Sequence, residues 1–302
     1  MILQRLPNPA LASNINSLPV FADHCLFTEE VHCNYEYPEH ISGLGILAAF
    51  NGNGNFYING SRNTLGAQNY FVINSGSKLA INIRKENTRP VLLFFHSYLQ
   101  NAVAESITQS HEKLLDGKAN LSFADVAMLE RMHNTTPALL SRIQQMIALG
   151  SSCASFHALK ADILARNILE ELMLENKRSL QLSMNLAVIK HATRIELYKR
   201  LSLAKEWMEA HYASAILLAD IAKTAMLNSQ HFLRLFKQVY KQTPHQYLME
   251  FRLQKAREIL ISSGQPIAEI CNLTGFESVT SFSNLFRQKF GVSPGMYRRG
   301  AL

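Results

Sequence analysis

The sequence predicts an α+β chain of two domains: a β-rich N-terminal domain that also carries helices, and an all-α C-terminal domain with two helix-turn-helix motifs. Three observations predict it. The texture changes near Leu99 from short alternating strands to helical periodicity. Positive charge gathers at the end of the chain, where residues 200–302 carry 13 Lys+Arg against 7 Asp+Glu while residues 1–199 carry 17 against 16. And one unit occurs twice, as MLNSQHFLRLFKQVYKQTPHQY (Met226–Tyr247) and GFESVTSFSNLFRQKFGVSPGMYR (Gly275–Arg298). The expected domains are 1–185, β-rich over 41–100 and helical over 101–176, and 195–302, with the two motifs at 218–240 and 266–290.

A chain of 302 residues, 47% hydrophobic and 18% charged, has the size for a core in each domain and the composition of a globular protein. Its most apolar run, PVLLFFHSYL (Pro90–Leu99), is too short to span a bilayer and reads as a buried strand, so no membrane partner is expected. MILQRLPNPALASNINS lacks the charged start and long apolar run of a secretory signal. The four cysteines, Cys25, Cys33, Cys153 and Cys271, are scattered, which fits a reducing cytoplasm.

Residues 1–40, with Pro7, Pro9, Pro19 and Pro38, read as irregular. GLGILAAF (Gly43–Phe50) is apolar, and NGNGNFYING (Asn51–Gly60) sets two turn signals around a short aromatic strand, as a hairpin does. YFVINSG, KLAINIRKE and PVLLFFHSY follow as further strands, so a small sandwich or barrel is expected. Helical texture then runs to about Arg200. SFADVAMLERMHN begins on a serine that can cap, and TPALLSRIQQMIALG has Thr136 before Pro137 and stops at Gly150. In Phe156–Asn176 an apolar face forms from Leu159, Ile163, Leu164, Ile168, Leu172 and Met173. That face packs either inside the chain or against a second copy, which makes a homodimer through these helices an expectation. The polar ENKRSLQLSMN reads as a boundary, and Glu196–Tyr212 as the helix that opens the basic region.

Within the repeat, Ile221 and Ala222 match Ile270 and Cys271 at an offset of 49, and Ser229 matches Ser278 at the same offset. Phe236, Pro244 and Tyr247 match Phe286, Pro294 and Tyr297 at 50. A one-residue slip is cheap in a turn, whereas inside a helix it rotates the buried face by about 100°. Each unit therefore reads as helix–turn–helix: Leu218–Ala225 and Pro266–Leu273 first, Ser229–Tyr240 and Ser278–Phe290 second, with Ser229 and Ser278 as caps. Gly275 gives the second turn its backbone freedom. Phe232, Leu235, Phe236 and Val239 share one face of the first second-helix, and Phe282, Leu285, Phe286 and Phe290 one face of the other; these are core positions. Between the units Thr243 caps, Pro244 opens and Gly264 stops a helix of about twenty residues, which spans about 30 Å.

The opposite faces are polar with basic ends: Gln230, His231, Arg234 and Lys237 on the first, Thr280, Ser283, Asn284 and Arg287 on the second. Short polar side chains around an Arg or Asn suit base edges in the major groove. Two such faces, held about 30 Å apart when the duplex pitch is about 34 Å, point to one monomer reading successive major grooves of double-stranded DNA.

IAEICNLTGFESVTSFSNLFRQKFGVSPGMYR, supported by LADIAKTAMLNSQHFLRLFKQVYKQTPHQYL and FRLQKAREIL, resembles the DNA-binding domain of AraC/XylS-type bacterial transcription regulators. The resemblance covers about 200–299. It implies seven helices, two helix-turn-helix motifs, and base contacts at Gln230, Leu233 and Arg234 in the first unit and Val279, Thr280, Ser283 and Asn284 in the second. Leu233 and Val279 can meet a thymine methyl or lie beside the sugar. Met226 departs from the glycine usual at the first turn. The resemblance further implies a cupin-like N-terminal barrel for a small-molecule effector, followed by dimerising helices, and transcription activation by contact with RNA polymerase at a promoter. A repressor or an architectural DNA binder without effector is the alternative.

His24, Cys25, His32, Cys33 and His40 could ligate zinc, but no pair has the tight spacing of a metal site, so neither metal nor cofactor is expected. Arg84, Lys85 and Arg89 could meet an anionic effector or simply end a strand in solvent; effector-binding residues are not assigned. No nucleophile elbow, phosphate loop or paired acid and base points to an enzyme.

Overall fold

The computed structural model describes residues 3–4, 6, 23–32, 34–84, 87–108, 128–150 and 156–300. Cys33, Lys85, Cys153 and the segment holding Pro7, Pro9 and Pro19 lie outside them, as do Ser122 to Ala127 of the expected capped helix. The chain divides into two compact units, Met1–Ser179 and Leu180–Leu302.

Unit one is built on two sheets. The first has six strands in the order β1 (Leu3–Gln4), β2 (His24–Thr28), β9 (Arg89–Phe95), β4 (Gly45–Phe50), β7 (Asn69–Ile73) and β10 (Met132–Asn134). The second has four, β3 (Tyr35–Ile41), β8 (Lys78–Ile83), β5 (Gly54–Ile58) and β6 (Ser61–Leu65). All pairings are antiparallel except β1 with β2. Between the sheets, Cys25, Phe27, Leu47, Phe71, Ile73, Leu92 and Phe94 meet Phe56, Ile58, Leu65, Leu79, Ile81 and Ile83. The other face of the six-stranded sheet (Leu26, Ile46, Tyr70, Val72, Leu93, Phe95) packs on α1 (Ser97–Thr108), α2 (Pro137–Gly150) and α3 (His157–Ser183).

This layering explains the two strand textures. A strand covered on both faces must be apolar throughout, as in GILAAF and VLLFF; a strand with one wet face alternates, as in GNFYI and KLAINI. The hairpin signal in NGNGNFYING is realised: β5 and β6 pair across Asn59–Gly60, both at positive φ (47° and 80°), the primed turn that matches strand twist.

Two sequence expectations fail in this unit. Residues 1–40 are not wholly irregular, because β2 and most of β3 fall there. The segment SFADVAMLERMHN is not helical where it is described: Met128–Arg131 is irregular and Met132–Asn134 is β10, at the edge beside β7. Tertiary pairing overrides local propensity there. Glu130 is tied to the sheet by the Asn74 backbone N–H at 2.8 Å, and Asn74 exchanges side-chain hydrogen bonds with the Met128 backbone. The division between the two units, Ser179–Leu180, falls within the polar ENKRSLQLSMN, but inside a helix: α3 continues through to Ser183, since Lys, Arg, Gln and Leu are all good helix formers.

Unit two holds the end of α3 and seven further helices among the described residues: α4 (His191–Ala210), α5 (Leu218–Thr224), α6 (Ser229–Tyr240), α7 (Pro244–Ser262), α8 (Ile267–Leu273), α9 (Val279–Phe290) and α10 (Pro294–Gly300). α4 begins five residues before Glu196. Thr243 and Gln246 form a full capping box at the start of α7, with Pro244 at the first position. Gly264 is not its stop: the helix ends at Ser262, and Ser263 leaves it with an extended backbone.

Candidate nucleic-acid interface

The two helix-turn-helix units are α5–α6 and α8–α9. After α5, Met226 takes φ 53°, the Met226 N–H bonds to Lys223 O at 2.9 Å and the Leu227 N–H to Ala222 O at 3.0 Å. After α8, Gly275 takes φ 79°, its N–H bonds to Asn272 O and the Phe276 N–H to Cys271 O, each at 3.0 Å. This is the left-handed helix stop in which the second residue past the helix turns back to bond inside its last turn. So far the offset is 49.

The second helices then begin at different distances. The cap of α6 is Asn228, whose side chain accepts the His231 N–H at 2.8 Å; that of α9 is Ser278, which accepts the Ser281 N–H. The expected cap Ser229 is instead the first residue of α6. Asn228 therefore matches Ser278 at 50, and Glu277 is the inserted residue, inside the turn. Asn and Ser are equally good caps, so adjacent candidates hid the register from sequence reasoning.

From there the units superimpose in their packing. Phe232, Leu235, Phe236 and Val239 of α6 are buried. In α9 Phe282 and Phe286 are fully buried, while Leu285 and Phe290 are only partly so. Phe236 meets Tyr247 edge-on at 5.9 Å, and Phe286 meets Tyr297 edge-on at 5.5 Å; Phe236–Tyr240 and Phe286–Phe290 are both 4.5 Å apart. These rings sit under each second helix and fix which side it shows to solvent.

The side shown holds the predicted residues. Gln230, Leu233, Arg234 and Lys237 on α6, and Val279, Thr280, Asn284 and Arg287 on α9, are exposed; His231 and Ser283 are half-buried. None of these ten side chains makes a hydrogen bond or ion pair with a described residue. Elsewhere in the unit several cations are paired. Arg200 pairs with Glu196 at 2.9 Å, Lys205 with Glu209 at 2.7 Å, Lys255 with Glu258 at 2.8 Å and Lys289 with Glu250 at 2.5 Å. Arg257 lies over the Phe290 ring at 5.5 Å, and Arg252 is buried with two backbone carbonyls. Arg234, Lys237 and Arg287 stand exposed without a carboxylate partner among the described residues, as do Lys223, Lys241 and Arg299. Ser229, expected as the cap, is half-buried at the position equivalent to Val279.

The weighed sites of unit one are not gathered. His24 and Cys25 point to opposite faces of β2: Cys25 lies between the sheets, where burial pushes its thiol up to about 11, and His24 lies 3.5 Å from Asp162 of α3. His40 packs edge-on against Tyr37, 4.9 Å away. No group of three or more metal-ligating side chains occurs among the described residues. Arg84 reaches Glu36 at 3.9 Å and Arg89 reaches Glu30 at 3.5 Å, so both candidate anion ligands have carboxylate partners. No described helix is long and apolar enough to cross a membrane.

A family model described as a helix-turn-helix domain matches residues 221–300. The probable transcriptional regulator LumQ of Photobacterium leiognathi is 30% identical over 176 residues, 58% of this chain and 67% of that protein. The match is thus longer than unit two and enters unit one. The HTH-type transcriptional activator RhaS of Escherichia coli O139:H28 is 36% identical over 101 residues, 33% of this chain, and the chain spans only 36% of that relative's length. A crystal structure of a transcriptional regulator with an AraC-type DNA-binding domain, from Chromobacterium violaceum, is 31% identical over 34% of this chain and 91% of its own, with a TM-score of 0.33.

Proposed function

Because the chain belongs to the AraC/XylS family of DNA-binding transcriptional regulators, we propose that it activates transcription from promoter DNA by laying α6 and α9 in successive major grooves. It is a regulator and not an enzyme. The DNA-binding domain is 195–302, and the base-facing residues are Gln230, His231, Leu233, Arg234, Val279, Thr280, Ser283 and Asn284, with Lys237 and Arg287 toward phosphate. The observation that carries this reading is the exposed polar face of α6 and of α9, each opposite a buried pair of phenylalanines, on which Arg234, Asn284, Lys237 and Arg287 make no bond to a described residue. The 19 residues of α7 span about 28 Å, close to one turn of duplex.

The rest of the proposal follows from the same family. Domain 1–185 senses a small-molecule effector, dimerises the protein, or does both; the protein acts in the cytoplasm and contacts RNA polymerase. Dimerisation has a surface to use: Leu159 and Ile163 lie exposed one turn apart near the start of α3, with exposed Phe156 just before it, while Ala161, Ala165, Ile168 and Leu169 face the core. Repression by the same DNA contacts remains the second reading.

The test is fluorescence anisotropy of the full chain on duplexes selected from a random pool, across a salt series. A selected site of about two turns that binds at least about a thousandfold tighter than random DNA, with a steep salt slope, supports the reading. Equal affinity for selected and random duplexes overturns it. Sedimentation of the Ile163→Glu variant tests the dimer surface.

A further inference from the structure

We propose that the two half-sites of the operator differ in chemistry: α6 reads a guanine through Arg234, and α9 reads an adenine through Asn284, about one helical turn away. The inference rests on the DNA-reading role proposed above and goes on to name the bases.

Arg234 and Asn284 are the same position of the repeat. Each is the sixth residue of its helix, two residues after a buried Phe (Phe232, Phe282) and two before another (Phe236, Phe286). Both are exposed, and neither is bonded to a described residue. Their side chains differ in kind. A guanidinium presents two parallel N–H donors, which match O6 and N7 of guanine. A carboxamide presents one acceptor and one donor, which match N6 and N7 of adenine.

Their neighbours separate the two faces further. α6 starts with Ser229 and Gln230, hydrogen-bonding groups, and shows Leu233 37% exposed. α9 starts with Val279, 41% exposed, and Thr280, so its first turn shows two methyl-bearing side chains, suited to thymine C5-methyl groups. No cation precedes Arg287 on α9. Recognition helices meet base edges with their N-terminal residues, so Arg287 and its equivalent Lys237, in the third turn, fall to the backbone. The α6 half-site therefore needs a G·C pair, and the α9 half-site is rich in A·T. A monomer on such a site has one orientation, and the operator has a direction.

The experiment uses the full chain and its selected duplex. Each base pair is replaced in turn, and at each guanine of the unchanged duplex 7-deazaguanine, which loses N7 but keeps its pairing, is substituted. In the wild type, one guanine of one half-site is expected to lose about tenfold in affinity on either change. Arg234→Ala removes that dependence and leaves the other half-site's preferences intact. Asn284→Ala removes one adenine preference, about ten base pairs away. The proposal is overturned if Arg234→Ala weakens all duplexes equally and lowers the salt slope, since that is a phosphate contact. It is also overturned if the two lost preferences lie in one half-site, or if the wild type tolerates every 7-deazaguanine. A wild type that prefers no sequence defeats the DNA reading itself, a different result from any of these.

Discussion

Met226 and Gly275 occupy the same point of two helix-turn-helix units and share one left-handed backbone conformation, φ 53° and 79°. Only the glycine adopts it without strain. A non-glycine residue there costs about 1–2 kcal/mol, and replacing it by glycine returns about 0.4–1 kcal/mol of disorder to the unfolded chain. Met226 is exposed, so its side chain contributes little packing. Met226→Gly is therefore expected to stabilise the protein by at most about 1.5 kcal/mol in urea unfolding. Gly275→Ala goes the other way and further: besides the strain, a Cβ would stand 2.9 Å from the carbonyl oxygens of Tyr212 and Ala213. A loss of about 2 kcal/mol or more is expected.

The same Tyr212–Ser214 segment is held by Arg252. Its Nε donates to Tyr212 O at 2.7 Å and its Nη2 to Ser214 O at 2.8 Å, with the side chain buried in the middle of α7. The α4–α5 connection is thereby pinned to the long helix, close beside Gly275. Lys cannot make both bonds, because it lacks the fixed fork. Arg252→Lys and Arg252→Met are both expected to cost about 1.5–3 kcal/mol, read as a lowered midpoint in urea with an unchanged slope.

The repeat breaks its symmetry at Tyr247 and Tyr297. Both pack on the equivalent Phe, but the Tyr247 hydroxyl donates to Glu209, itself paired with Lys205, and the Tyr297 hydroxyl has no described partner. Tyr247→Phe is expected to cost about 1.5 kcal/mol and Tyr297→Phe less than about 0.5, by thermal unfolding.

How legible was all this in the sequence? The repeat was, because two buried phenylalanines four residues apart, a Pro and a Tyr recur at fixed offsets, and each such residue is forced by packing. The cap register was not, because Asn228 and Ser229 can both accept the helix N–H. The interface face was legible as the complement of the core face; the pairing of Lys289 was not, since its partner Glu250 lies 39 residues before it. β10 escaped because Met132–Asn134 carries no alternation at all. It is a strand only because Tyr70 of β7 lies opposite His133, with the rings stacked 5.0 Å apart.

Acid should weaken unit one. Burial lowers His24, against the opposing pull of Asp162 and Asp23; burial also lowers His40, and pushes His133 well below its usual value with Arg131 adding to the effect. Each therefore binds fewer protons in the fold than in the unfolded chain as pH falls below the ordinary value of 6.5. The unfolded state then binds more protons, so stability is full above pH 6.5 and falls as pH drops. The slope approaches about 1.4 kcal/mol per pH unit for each histidine that stays neutral. Thermal unfolding from pH 7.5 to 5 checks this, and His133→Phe, which keeps the stacking on Tyr70, is expected to flatten the curve.

Lys237 and Arg287 give the most direct reading of how each cation is used. Both sit in the third turn of their helices, past the base-facing residues, with no partner described within the chain. A phosphate contact releases about one condensed counterion, so removing one should reduce the slope of log affinity against log salt by about 0.9. Lys237→Ala and Arg287→Ala are therefore expected to weaken selected and random duplexes by the same factor and to lower the slope by about 1 each. Arg234→Ala should leave the slope closer to wild type while cutting the preference for the selected site. If Lys237→Ala instead changes which bases are preferred, the third turn enters the groove, and the division of α6 into a reading start and an anchoring end is wrong.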